Sequence, residues 1–211
     1  MTDDLACLMY LLAHDEAAEG PYDRSRTELL VRAAALVDLA LRGRLGEDGG
    51  TVTVSGTDPA GDPVLDGVLR DAAGHGWKAL VRRHRKRTLT EVEDRLAAAG
   101  LLTVKAPRTR FGTRRVTVTD RAVPAALRAR VSTALHGDGP VREIPAADAA
   151  LLALAAAGGI RSVLSRQDQK TFRARVDACT GRLAALAPGL ETAVRALPMT
   201  MLAAQGGMGG S

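Results

Sequence analysis

Residues 31–45, VRAAALVDLALRGRL, constrain the fold more than any other stretch. Leu36, Val37, Leu39, Ala40 and Leu41 form a broad apolar stripe at helical spacing, and Gly43 suits the C′ position that stops a helix. The rest of the chain has to be organised around this helix. Thr51-Val52-Thr53-Val54 then alternates with period two, the mark of a short half-buried strand. Gly56 to Leu69 is a turn feeding a second helix, with Asp62 as N-cap and Pro63 at N1, where the missing amide costs nothing.

The core has to be aliphatic. Among 211 residues there are two Phe, two Tyr and one Trp, and the abundance of Ala and Leu points to a mainly α fold. The length allows one large domain or two small ones, with enough chain for a buried core. No break is stronger than Gly137–Pro145, so residues 1–204 are expected to form a single helical domain with a small antiparallel β element and a β-hairpin. Residues 205–211 read as a disordered Gly-rich tail. Cys7 and Cys179 lie far apart on apolar helix faces, as two buried thiols in a reducing compartment would.

In chain order, Thr2 is the expected cap of a helix through about Ala13, and residues 14–24 form a loop. The long helix covers about 25–42. Another spans 63–73, interrupted by Gly74-His75-Gly76, and Trp77 to Arg87 forms a short basic helix. Thr88 and Glu91 fit a capping box that opens the next helix, which ends at Gly100 in the αL conformation. Residues 101–105 and 114–119 pair as a hairpin. Further helices are expected over 121–136, 145–158, 167–186 and 189–204.

Charge is the most informative feature. Residues 77–115 hold twelve basic and three acidic side chains in a chain whose net charge is +5. The remainder is therefore net acidic, and the positive charge is concentrated in one helix and one hairpin. A solvated basic face is the bland explanation; clustering this asymmetric points to an anionic partner. A helix followed by an Arg-rich hairpin is also how a winged helix ends, which would make residues 77–119 a nucleic-acid binder. An acidic phospholipid surface is the other candidate, and an acidic protein the third.

Chemistry-bearing motifs are sparse. His14, His75, His84 and His136 share no metal-ligand spacing, and no phosphate loop, nucleophile elbow or zinc-protease helix is present. Asp58, Asp62 and Asp66 do not match the alternating ligands of a calcium loop. The expectation is a non-enzymatic protein without cofactor or metal. No run approaches 18 apolar residues, and Asp3 and Asp4 stand where a secretory signal would be basic. A cytoplasmic protein is expected.

The segments LALRGRL at 39–45 with the strand that follows, TDPAGDPVLD at 57–66, and VEDRLAAAGLL at 92–102 with its hairpin resemble the Golgi phosphoprotein 3 family. Its eukaryotic members bind phosphatidylinositol 4-phosphate on Golgi membranes, so the resemblance implies a peripheral protein on the inner face of the membrane. Of the family's headgroup residues, the first arginine falls on Arg32 and the two helix arginines on Lys86 and Leu89, while Asp23 stands in place of a tryptophan. Lysine cannot make arginine's two-pronged contact with phosphate. A less discriminating anionic-lipid contact is therefore expected, through Arg32, Arg82, Arg83, Arg85, Lys86 and Arg87. The hairpin residues Arg108, Arg110, Phe111, Arg114 and Arg115 are expected to face the membrane beside them. One Phe among four arginines is too little apolar surface for a tight dimer, so a monomer or weak oligomer is expected. Trp77 matches a structural tryptophan of the family.

Overall fold

The computed structural model describes residues 4–15, 20, 21, 23–105 and 115–206. It is a mainly helical domain with three small antiparallel strand pairs among the described residues. At its centre is α2 (Arg24–Leu41), buried without interruption from Thr27 to Ala40. Around it pack α1 (Leu5–Leu12), α3 (Pro63–Arg70), α4 (Trp77–Arg82), α5 (Arg85–Ala98), α7 (Ala146–Gly158) and α11 (Leu197–Gly206). Between α5 and α7, α6 (Ala122–His136) lies against α1 and α7.

α1 is buried on every side, and its cap is Asp4, whose Oδ1 accepts from the Cys7 amide at 2.9 Å. The expected cap, Thr2, lies outside the described residues. α7 approaches α2 so closely that a Cβ on Gly158 would stand 2.5 Å from Leu30 Cδ1. Only glycine permits that contact.

The first strand pair joins β1 (His14–Asp15) to β2 (Gly20–Pro21). The sequence strand at 51–54 is β4, and it pairs with β3 (Leu45–Asp48), which composition did not announce. β3 carries Glu47, whose Oε2 accepts from the Trp77 indole at 3.1 Å and from the Gly189 amide at 2.7 Å. Trp77 is buried, so it has the packing role expected of it. The hairpin pairs β5 (Leu102–Lys105) with β6 (Arg115–Val118), and Gly100 before it has φ +73°.

Five sequence expectations are corrected. The basic helix does not run from Trp77 to Arg87: it stops at Arg82, and α5 starts at Arg85. Thr88 is not a cap. It lies inside α5, buried, with its hydroxyl 3.3 Å from the His84 carbonyl one turn back. The helix expected over 167–186 is divided at Phe172 into α8 (Arg166–Thr171) and α9 (Arg173–Gly181), followed by a 3₁₀ turn over Arg182–Ala185. That expected over 189–204 is divided at Ala196 into α10 (Pro188–Arg195) and α11, because Pro198 has no amide to give and its ring crowds the preceding turn. α11 runs to Gly206, two residues into the expected tail.

Cys7 and Cys179 are both unpaired and buried, and burial pushes the pKa of both thiols up. No helix among the described residues is long and apolar enough to cross a membrane.

Candidate functional site

The basic segment folds into a corner. α4 ends at Arg82 with Arg83 as its C-cap, and His84 turns the chain with φ 52° and ψ 19°. It is the one non-glycine residue with positive φ among those described, a conformation that histidine adopts more readily than most but at some cost. α5 therefore starts without a side-chain cap on its N-terminal amides. Those amides carry the positive pole of a 14-residue helix.

Arg82, Arg83 and Lys86 stand exposed at this corner, and their side chains make no hydrogen bond or ion pair to any described residue. Arg85 and Arg87 are different. Arg85 Nε donates to buried Glu28 at 3.1 Å, and Arg87 Nε donates to Glu91 at 2.7 Å, which raises the Arg87 guanidinium's affinity for its proton.

Arg32 lies beneath the corner, 1% exposed. Its Nε donates to the Leu80 carbonyl and its Nη1 to Thr88 Oγ1, each at 3.1 Å. Thr88 thus serves as the acceptor that ties Arg32 to the first turn of α5. The third group, Nη2, has no hydrogen-bond acceptor. Asp71 Oδ2 is 3.6 Å from it, too long for a hydrogen bond, and Asp71 Oδ1 is 3.9 Å from His84 Nε2. Burial lowers the Arg32 pKa, Asp71 and Glu91 oppose that effect, and Arg83 and Arg87 add to it. The cations of the corner are thus close enough to act on the guanidinium below them.

Of the other basic residues of the segment, Arg95 is neutralised internally. Arg95 is held between Asp4, at 2.8 Å, and Asp62. Lys105 and Arg115 lie opposite each other on the hairpin, both exposed. Arg108, Arg110, Phe111 and Arg114 lie outside the described residues. The structure thus brings Arg82, Arg83, Arg85, Lys86 and Arg87 together at one corner and places Arg32 under it as a buried tie. Leu89, at a family arginine position, is fully buried.

Sequence reasoning missed Asp71, His84 and Glu28. Asp71 follows a helix with nothing to mark it, and Glu28 meets Arg85 only through the packing of α2 against α5. Two hollows elsewhere, of about 320 and 410 Å³, are lined by α7–α11 residues and by residues of α6, α7 and Arg175. Neither includes a residue of the basic corner. Among the described residues no group of three or more His, Cys, Asp or Glu side chains is placed to hold a metal ion.

A search of curated proteins returned no match. A sequence model of Golgi phosphoprotein 3 (GPP34) matches residues 5–197, nearly the whole described domain. The chain belongs to the Golgi phosphoprotein 3 family.

Proposed function

We propose that the chain is a non-enzymatic peripheral protein that docks on anionic phospholipid through the corner between α4 and α5. The observation that carries this reading is the trio Arg82, Arg83 and Lys86, exposed without counter-charge beside the uncapped start of α5. Near an anionic leaflet each such cation contributes about 1 kcal/mol. The helix pole adds a further preference for a phosphate at the same place. Family membership supports the lipid over the other anions, because a phosphatidylinositol 4-phosphate-like headgroup is what the family resemblance implies. Arg85 and Arg87 extend the face; from the sequence alone, Arg108, Arg110, Phe111, Arg114 and Arg115 of the hairpin are proposed as further membrane contacts. The membrane met would be the inner face, from the cytoplasm. Lys86 in place of arginine favours diffuse attraction over tight selection of one headgroup.

The test is side-by-side binding to anionic vesicles, neutral vesicles and duplex DNA at matched salt. Binding to the anionic vesicles alone is expected, weakening steeply as salt shortens the screening length from about 8 Å toward 3 Å. Preference for the duplex would transfer the corner to a winged-helix-like role. Binding to neither would leave an acidic protein as the partner of this face.

A further inference from the structure

The least expected residue at the corner is an acid. Asp71 is the C-cap residue of α3, where the helix pole is negative and a carboxylate is disfavoured. It is nevertheless turned toward the Arg32 guanidinium, whose Nη2 is 3.6 Å away, with the His84 imidazole at 3.9 Å on the other side. Arg83, Arg87 and Glu91 complete the charged groups felt there. The Arg32 guanidinium is sealed at 1% exposure with one group unsatisfied, whereas the Asp71 side chain is 22% exposed. A buried donor left without an acceptor calls for explanation. Here the nearest anion covers it without bonding to it.

We propose that the Asp71 carboxylate is a built-in competitor, occupying the position of a phosphomonoester in the ligand-free protein. This rests on the docking reading above and adds its regulation. A phosphate oxygen that displaced Asp71 would accept from Arg32 Nη2 and lie beside His84 and the free first-turn amides of α5. Arg32 would then use all three of its nitrogens, with Leu80 and Thr88 still holding the other two. Asp71 is short, with two side-chain torsions, and its partial exposure leaves a path for the carboxylate into solvent. A monoester carries close to two negative charges at neutral pH and can outcompete one carboxylate. A phosphodiester brings one charge and has less advantage over it. The occupant is thus a phosphomonoester, whether on a lipid headgroup or free.

The experiment compares the full chain with Asp71→Asn and with Asp138→Asn, a charge-matched control in the exposed loop after α6. Asp71→Ser replaces Asp71→Asn if the latter does not fold by circular dichroism. Each is titrated with phosphatidylcholine vesicles, with and without phosphatidylinositol 4-phosphate, and melted with and without inorganic phosphate. Removing the carboxylate should tighten binding to the phosphoinositide vesicles about fivefold, as expected for losing one partly exposed charge contact. Inorganic phosphate should raise its melting temperature more than that of the parent chain. Equal tightening by Asp138→Asn would reduce the effect to net charge and overturn the proposal. Vesicle binding unchanged or weakened by Asp71→Asn would make Asp71 a structural partner of Arg32, leaving the docking reading intact. If no variant binds vesicles but phosphate stabilises Asp71→Asn selectively, the competitor stands and membrane docking falls. No response to vesicles or phosphate overturns both.

Discussion

The two ends of α5 use the same residue types to opposite effect. At its start, Arg82, Arg83 and Lys86 face solvent with no acid of their own among the described residues. In its second half, Glu93 is completely buried and takes both Arg24 nitrogens, at 2.8 and 3.1 Å, together with the Tyr10 hydroxyl. Arg95, two residues on, is held by Asp4 and Asp62. One half is neutralised by partners from α1, α2 and the N-cap of α3. The other is left positive. Charge counted along a sequence is therefore not charge offered to a partner, and the difference is decided by acids distant in the chain.

The comparison is broken most directly by removing the unpaired cations. Arg82→Ala, Arg83→Ala and Lys86→Ala together should lower affinity for anionic vesicles about a hundredfold, from about 1 kcal/mol for each cation. The fold should be untouched, because none of the three side chains makes a hydrogen bond or ion pair within the described structure. If vesicle titration shows less than a tenfold loss, the corner is not the docking surface.

The opposite outcome is expected at the other end. Glu93→Gln removes a buried charge whose partner Arg24 is 43% exposed and retains water as a substitute. Breaking a buried ion pair ordinarily costs more, and that exposure reduces the figure here to about 2 kcal/mol. Urea unfolding followed by circular dichroism measures it. Vesicle affinity should not change. A loss of affinity with stability intact would mean that the buried half of α5 also shapes the membrane face.

How far this contrast was legible depends on the kind of signal. The central helix, the Asp62–Pro63 start, the hairpin and the αL glycine at position 100 follow from local rules that tertiary structure did not override. Asp62 caps α3 through the amides of Val64 and Leu65 as its sequence indicates. The break at Arg83-His84 was hidden, because nothing in a run of basic helix formers marks a left-handed residue. Thr88-x-x-Glu91 has the form of a capping box, yet Thr88 bonds inward to Arg32 and Glu91 outward to Arg87. Thr88 was taken by a partner distant in the chain, and Glu91 by one a single turn back. β3 was missed for a related reason: its Gly-Glu-Asp has poor strand propensity, and it is held by its pairing with β4 and the contacts of Glu47. The identities of the corner cations could be read from the chain, but not which of them were free.

The finest distinction lies within the corner, between Arg87 and its unpaired neighbours. Arg87 is exposed, and its guanidinium is bound to Glu91 one turn further along α5. Toward a distant anionic surface the pair is close to neutral, so Arg87→Ala should reduce vesicle affinity less than twofold, in keeping with the small net effect of exposed pairs. Glu91→Gln does the reverse. It frees Arg87 without removing it, and it also withdraws a carboxylate that acts on Arg32. Affinity should then rise about two- to threefold, an effect that diminishes with added salt because both charges are at the surface. Arg83→Ala alone, measured in the same titration, is expected to cost about fivefold. If Arg87→Ala costs as much as Arg83→Ala, pairing with Glu91 does not withhold Arg87 from the membrane, and paired and unpaired arginines would have to be counted alike.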